Sequence, residues 1–234
     1  MLKNRRIALK ISGESFSSLT HSLQDIEFID QISLGIKKIY DAKINIILIV
    51  GGGNVCRGIE GKGFMNRVTT DQIGMLGTLI NALTLKNSLD RLNVDSKIQS
   101  AIQVNYICEP FVYKRALKHL SENKIVIFAS GTGHPFFSTD TAAVLRALEM
   151  NCEILLKATN VQGVFSEDPK KNSKAEFYSK ISYDELINKN LKVMDMTAIS
   201  MAKENRLPIK VFSIQEHRNF LDILNDQGNY SLIH

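Results

Sequence analysis

A three-layer α/β/α sandwich around a mainly parallel sheet is the fold class this sequence predicts, on three observations. Short runs of Ile, Val and Leu recur along the whole chain, and most are nearly continuous rather than alternating, as in strands covered on both faces. Helical patterns fill the intervals between them, which is the alternation of a βαβ chain. Three of the apolar runs lead directly into glycine-bearing segments, and open α/β sheets bind ligands where strands end and helices begin.

Arg6 to Ile11 is the first strand. The helix Asp25 to Ala42 follows, with Ile26, Ile29, Ile32, Ile36 and Ile39 repeating at three and four as a core-facing stripe. Asn45 to Val50 is the second strand and the most apolar in the chain. A helix over Asp71 to Arg91, a strand over Ser96 to Ala101, a helix over Tyr113 to Glu122 and a strand over Lys124 to Ser130 come next. The helix Asp140 to Met150 places Asp140 at its N-cap, where a carboxylate can accept from the first free N–H groups. Ile154 to Lys157 is a strand, Tyr183 to Asn188 and Thr197 to Asn205 are helices, and Ile209 to Ile214 is the last strand. No repeat or Pro/Ser-rich linker divides the chain. Residues 1–234 are therefore expected to form one domain whose two closely fused parts meet near residue 150. Lys170 to Glu176, after the Asp168-Pro169 turn signal, is expected to be a surface loop.

Composition narrows the function. With 234 residues, 44% hydrophobic and 23% charged, the chain can bury a core without disulfides or structural metal. Its longest apolar stretch, Ile44 to Val50, is interrupted by Asn45 and falls far short of the ~20 residues that span a bilayer. Lys10 and Ser12-Gly13-Glu14 cut off any signal-like apolar segment, so a cytoplasmic location is expected. Three cysteines without a C-x-x-C pair and five histidines without H-E-x-x-H spacing argue against a disulfide framework and a zinc hydrolase. The net charge of +5 is spread along the chain rather than gathered into a stripe with aromatics. No nucleic-acid partner is indicated, and a handful of the basic residues are expected to face phosphate.

Three segments are candidate phosphate cradles: Lys10-Ile-Ser-Gly-Glu14, Gly51-Gly-Gly-Asn-Val-Cys-Arg-Gly58, and Gly131-Thr-Gly-His-Pro-Phe-Phe-Ser-Thr-Asp140. Glycine lets backbone N–H groups approach an anion closely, and a following helix adds its positive end. Each could equally be a tight turn, but strands of one parallel sheet would bring all three to the same edge. G-x-x-x-x-G-K-[ST] does not occur, and Gly131-Thr-Gly133 lacks the third glycine of a dinucleotide fingerprint. Lys10 and Lys157 interrupt apolar strand sequence, where a lysine is costly unless an anion compensates it. Asp140 can orient both.

These segments, together with Met65-Asn-Arg-Val68 and Asp71, Leu156-Lys-Ala-Thr159, Gly163-Val-Phe165, Asp168-Pro169, Lys192-Val-Met-Asp195 and Leu207-Pro-Ile209, occur in the order found in one family. The chain closely resembles bacterial uridylate (UMP) kinases, members of the amino acid kinase superfamily, from about residue 5 onward. Pro135-Phe-Phe137 sets that family apart from relatives sharing the first two motifs. The resemblance implies the amino acid kinase fold, a homohexamer, transfer of the ATP γ-phosphoryl to UMP with Mg²⁺, and UTP as a feedback inhibitor. It implies an ATP site of Lys10, Ile11, Ser12, Gly13, Gly53, Arg57, Thr159, Phe165 and Asp168. It implies a UMP site of Gly52, Asp71, Thr132, Gly133, His134, Pro135, Phe136, Phe137, Ser138 and Thr139. The catalytic set expected on this resemblance is Lys10, Lys157, Asp140, Gly52 and Gly53, and no protein metal ligand is assigned.

Two departures qualify the resemblance. Ser15 to Leu23 lacks the glycine-rich run many members carry there, in a region that contributes to activation by GTP, so weak or absent activation is expected. His134 stands where Asn is frequent. The competing readings are a superfamily member with another acceptor, and a non-catalytic nucleotide-binding protein. Retention of Lys10, Gly52, Gly53, Asp140 and Lys157 argues against the second.

Overall fold

The computed structural model describes residues 5–17, 23–55, 66–169, 171–172 and 174–234. Its strands are β1 (Arg6–Ile11), β2 (Asn45–Val50), β3 (Ser96–Ser100), β4 (Glu109–Pro110), β5 (Ile125–Ala129), β6 (Ile154–Thr159), β7 (Val164–Phe165), β8 (Phe177–Tyr178), β9 (Lys180–Ile181), β10 (Ile209–Ser213) and β11 (Ser231–Ile233). The α-helices are α1 (Ile26–Asp41), α2 (Arg67–Arg91), α3 (Tyr113–Ser121), α4 (Thr139–Glu149), α5 (Tyr183–Asn188), α6 (Met196–Glu204) and α7 (Phe220–Leu224). Short 3₁₀ turns cover Gly13–Phe16 and Ile214–Asn219.

Among the described residues nine strands form one sheet in the order β4-β3-β5-β2-β1-β6-β10-β11-β9, and β7 and β8 form a separate antiparallel ribbon. Within the large sheet the β10–β11 pair is antiparallel and the others are parallel. The core explains the continuous apolar strands. Ile7, Leu9, Ile11, Ile46, Leu48 and Val50 face α1, α2 and α7, whereas Ala8, Ile47, Ile49, Val126, Leu155 and Val211 face α3, α4 and α6. The predicted Ile29, Ile32, Ile36 and Ile39 stripe is buried, while Ile26 is about half exposed.

Helix starts follow their caps. Asp25 accepts from Phe28 N–H at 3.0 Å, and Asn66 accepts from Thr69 N–H at 2.9 Å, so α2 begins at Arg67 rather than at Asp71. One expectation is corrected: Asp140 is not an N-cap. Ser138 caps α4, its hydroxyl accepting from Asp140 and Thr141 N–H at 3.0 and 3.2 Å. The Asp140 side chain is thereby left for other work. Strand β6 also continues past Lys157 to Thr159, placing the lysine inside the strand.

Strand β1 has β2 on one side and β6 on the other, although the chain passes through β2 to β5 before returning to β6. Such a reversal of strand order opens a crevice beyond the carboxyl ends of the strands. The segments after β1, β2 and β5 all leave at this edge.

Candidate active site

Lys10 on β1 and Lys157 on β6 are register partners on adjacent parallel strands, so both side chains emerge on the α4 face. They are 7% and 5% exposed. Two ammonium groups side by side in a core repel one another and are poorly solvated, an arrangement that needs an anion. Asp140, in the first turn of α4, supplies it. Lys157 Nζ donates to Asp140 Oδ2 at 2.6 Å and to Val193 O at 2.6 Å. Lys10 Nζ lies 2.9 Å from Asp140 Oδ1, an ion pair whose angles fall short of a hydrogen bond. Lys10 is thus the less constrained of the two.

The electrostatics follow from this geometry. Burial works to raise the Asp140 pKa, but Lys10 and then Lys157 outweigh it and hold the carboxyl down at about 2. Burial pushes Lys157 down to about 8 while Asp140 pulls the other way. With both lysines protonated, the triad carries one positive charge more than its carboxylate balances. That is a buried cationic site at the crevice.

The first two glycine segments are packed backbone to backbone. A Cβ on Gly13 would stand 2.3 Å from Gly53 N and 2.7 Å from Gly52 N, and one on Gly52 would stand 2.4 Å from Gly74 O. Neither has room to give. Gly53 differs, because among the described residues a Cβ there would meet Glu14 alone, its side chain at 3.7 Å and its backbone N at 4.0 Å. Its neighbours do not demand glycine; a phosphate drawn close to its backbone would. Two further bonds join the β1 and β6 ends, Ser12 N–H to Ala158 O at 3.3 Å and Asn160 Nδ2 to Glu14 Oε2 at 2.9 Å.

Beside this edge lies a cavity of about 140 Å³ lined by Gly52, Gly74, Met75, Thr78, Ser130, Gly131, Thr132, His134, Phe137 and Thr139. Five residues expected at the acceptor, Gly52, Thr132, His134, Phe137 and Thr139, form part of its wall. Gly133 and Pro135 continue the same loop, and Asp71 reaches it by accepting from Phe136 N–H at 2.7 Å while pairing with Arg67 at 2.9 Å. Phe136 is exposed, with the Arg67 guanidinium 5.7 Å from its ring centre. Ser138 is occupied as the α4 cap and also donates to Asp195. Ser130 and Phe136 hold left-handed backbone, at φ 63° and 71°, a conformation costly for residues with a Cβ.

Of the residues expected at ATP, Ile11, Ser12 and Gly13 lead out of β1 and Thr159 ends β6. Phe165 lies on the β7–β8 ribbon with its ring edge-on to Phe177 at 5.3 Å, and Asp168 begins the turn that follows. Arg57 lies outside the described residues, as does part of the segment from Ser15 to Leu23.

Several residues of the site were given no role by sequence reasoning, Asp195 among them although it closes the Lys192-Val-Met-Asp195 motif. Asp195 caps α6 by accepting from Ala198 N–H at 3.0 Å, and its carboxylate also takes the hydroxyls of Ser138 and, at 2.8 Å, Thr141. It ties the first turn of α4, and hence Asp140, to the helix beside it. Gly74, Met75 and Thr78 share one face of α2 with Asp71, a spacing of three, four and seven that could have pointed to them.

The chain is similar to known proteins over nearly its whole length. Residues 5–213 match the family described as the amino acid kinase family. The chain is 46% identical over 229 residues to the uridylate kinase of Neorickettsia sennetsu, covering 98% of both, and 47% identical over 233 residues to that of Rickettsia conorii, covering 99% of this chain and 96% of the relative. Its structure superposes on that of a UMP kinase from Ureaplasma parvum with a TM-score of 0.93, at 35% identity and 99% coverage of both chains. Fold, crevice and kinship converge: the chain belongs to the amino acid kinase family, and within it to the uridylate kinases.

Proposed function

We propose that this chain transfers the γ-phosphoryl group of ATP to UMP, giving ADP and UDP, as a cytoplasmic step of pyrimidine nucleotide synthesis. The observation that carries the reading is the buried Lys10–Asp140–Lys157 triad with its surplus positive charge, set between tightly packed glycine segments and a small cavity. The names of the relatives at 46–47% identity support it.

The acceptor oxygen of UMP is already ionised at neutral pH, so no general base is required. Catalysis then consists of holding two polyanions in line and neutralising charge on the migrating group. Lys10 and Lys157 flank that group, Asp140 aims them, and backbone N–H groups of Gly52 and Gly53 face its oxygens. ATP lies over Lys10 to Gly13, Gly53, Arg57, Thr159, Phe165 and Asp168, in the C-terminal part together with the β1 edge. UMP takes the cavity, with Asp71 at the ribose and Thr132 to Thr139 around uracil. Mg²⁺ would come with ATP and neutralise phosphate charge there, and no side chain of this protein is assigned to hold it. Asp140 does not fit as its ligand, because both carboxylate oxygens face ammonium groups.

The test is ADP release with UMP, CMP, acetylglutamate and aspartate as acceptors, repeated with GTP and with UTP. Turnover is expected with UMP well above the others, inhibited by UTP and little changed by GTP. Equal or better turnover with a non-uridine acceptor would overturn the assignment, and turnover with none of the four would favour a binding protein.

The same reading includes a homo-oligomer, with six copies expected. Leu76, Ile80 and Leu83 form an exposed apolar stripe at helical spacing on α2, at 50%, 40% and 38% exposure, which supports a self-associating surface. Light scattering is expected to give six times the mass of one chain, and a monomer at micromolar concentration would reject it.

A further inference from the structure

We propose that Asn81 is a positioning residue for phosphoryl transfer, holding the Gly51–Gly53 backbone at its working distance from the acceptor loop. The inference rests on the reading above, that this loop faces the transferring phosphoryl group. Asn81 lies on α2, is 0% exposed, and is neither part of the triad nor one of the residues lining the cavity described above. Its amide has two donor hydrogens and two acceptor lone pairs, and all four are engaged. Nδ2 donates to Gly51 O at 2.7 Å and to Asn54 Oδ1 at 2.8 Å. Oδ1 accepts from Asn54 Nδ2 at 3.0 Å and from Gln24 Nε2 at 3.1 Å. Because Gly51 O can only accept, Nδ2 must be the atom that faces it, so the orientation of the amide is set by chemistry.

The arrangement grips the loop at both ends, through Gly51 directly and through Asn54 side chain to side chain. Asn54 Nδ2 also donates to Leu23 O at 2.9 Å, which ties the segment leading into α1 to the same point. One turn back along α2, Thr78 Oγ1 accepts from Ser130 N–H at 2.6 Å, at the first residue of the acceptor loop. Between them, Gly52 packs against Gly74 and Thr78 so closely that no Cβ would fit. Gly74, Thr78 and Asn81 therefore line one face of a single helix that carries both loops. Because a helix is stiff along its axis, their separation is set by the rise between Thr78 and Asn81, about 1.5 Å per residue. A leucine would fill the same space without needing partners. What the amide adds is a fixed point for the loop.

The experiment measures Asn81→Asp and Asn81→Leu beside the unaltered chain, with UMP and ATP as substrates. Asn81→Asp keeps the size but turns both donors into acceptors facing Gly51 O and Asn54 Oδ1. A positioning role predicts that kcat falls about tenfold to a hundredfold while KM for ATP changes less than about twofold and each chain still binds one ATP. It also predicts faster hydrogen exchange at the Gly51 and Val55 amides, bonded to Ile11 O and Gly52 O at 2.9 and 3.1 Å, with Leu48 inside β2 unchanged. An unaltered kcat together with unaltered exchange at Gly51 and Val55 overturns the inference. If the unaltered chain does not turn over UMP, the proposed function fails, and the exchange measurement alone decides the role of Asn81. Should the Asn81 variants fail to fold, Asn54→Ala removes two of the four bonds from the half-buried side. A severalfold loss of kcat with faster loop exchange then supports the inference, and no change in either overturns it.

Discussion

Replacing Lys157 with Ala is expected to lower kcat by about a thousandfold while leaving the chain folded, and Lys10→Ala to lower it comparably. Under the proposed function each change removes an ammonium that would face the migrating phosphoryl group, worth about 3–4 kcal/mol of barrier where charge develops out of water. Folding survives because Asp140 keeps the other lysine as its partner. Circular dichroism and a thermal melt beside the rate assay check both halves, and an insoluble or unfolded variant would point to a structural role instead.

The pH dependence sharpens the same test. Burial lowers the Lys157 pKa to about 8, below its ordinary value of 10.5. Activity that needs the ammonium therefore falls as pH rises through about 8, read in kcat/KM for ATP, and this limb is expected to be absent from the residual rate of Lys157→Met. Stability moves the other way. Between about 8 and 10.5 the unfolded chain binds a proton that the folded chain has lost, so the penalty of burying Lys157 is relieved as pH rises. Asp140 acts at the acid end. Its folded pKa of about 2 lies below 3.8, so its contribution to stability is present above 3.8 and is lost as pH falls toward 2.

The second large effect is expected at the glycine segments, and three substitutions separate its causes. Gly52→Ala puts a Cβ 2.4 Å from Gly74 O and 3.0 Å from Thr78 N, and Gly13→Ala puts one 2.3 Å from Gly53 N. The obstacles are backbone atoms, so the loop must shift, at about 1–3 kcal/mol of stability. A displacement of about 1 Å at a phosphoryl-transfer site costs about a hundredfold in rate. Gly53→Ala meets only ordinary contacts among the described residues and is expected to leave Tm unchanged while losing turnover, because under the proposed function its methyl would intrude on the phosphate rather than on the fold. A fully active Gly53→Ala would remove that glycine from the transfer site.

Much of the fold was legible because its strands are buried on both faces, which leaves uninterrupted runs such as Asn45 to Val50 bounded by glycine or polar turns. Short edge elements were not. Strands β4, β7, β8 and β9 have two residues each, too few for any periodicity to register, and they exist through pairing with distant partners. Lys10 and Lys157 stood out because they break apolar runs. Asp195 and Asn81 did not, since an acid before a helix and an Asn within one are ordinary local choices. Their importance lies in contacts 54 to 57 residues away, to Thr141 and Ser138, and 27 to 57 residues away, to Asn54, Gly51 and Gln24.

By itself the amino-acid sequence determined the strand and helix sequence of the sandwich, the three glycine segments at strand ends and the two lysines that interrupt β1 and β6. Each is written in local spacing and side-chain polarity. Only the tertiary structure decided that the lysines are register partners sharing one carboxylate, that Ser138 rather than Asp140 caps α4, and that one face of α2 holds both loops. Those depend on strand order and on the parity that sends alternate residues to opposite faces, quantities that arise when distant segments pair.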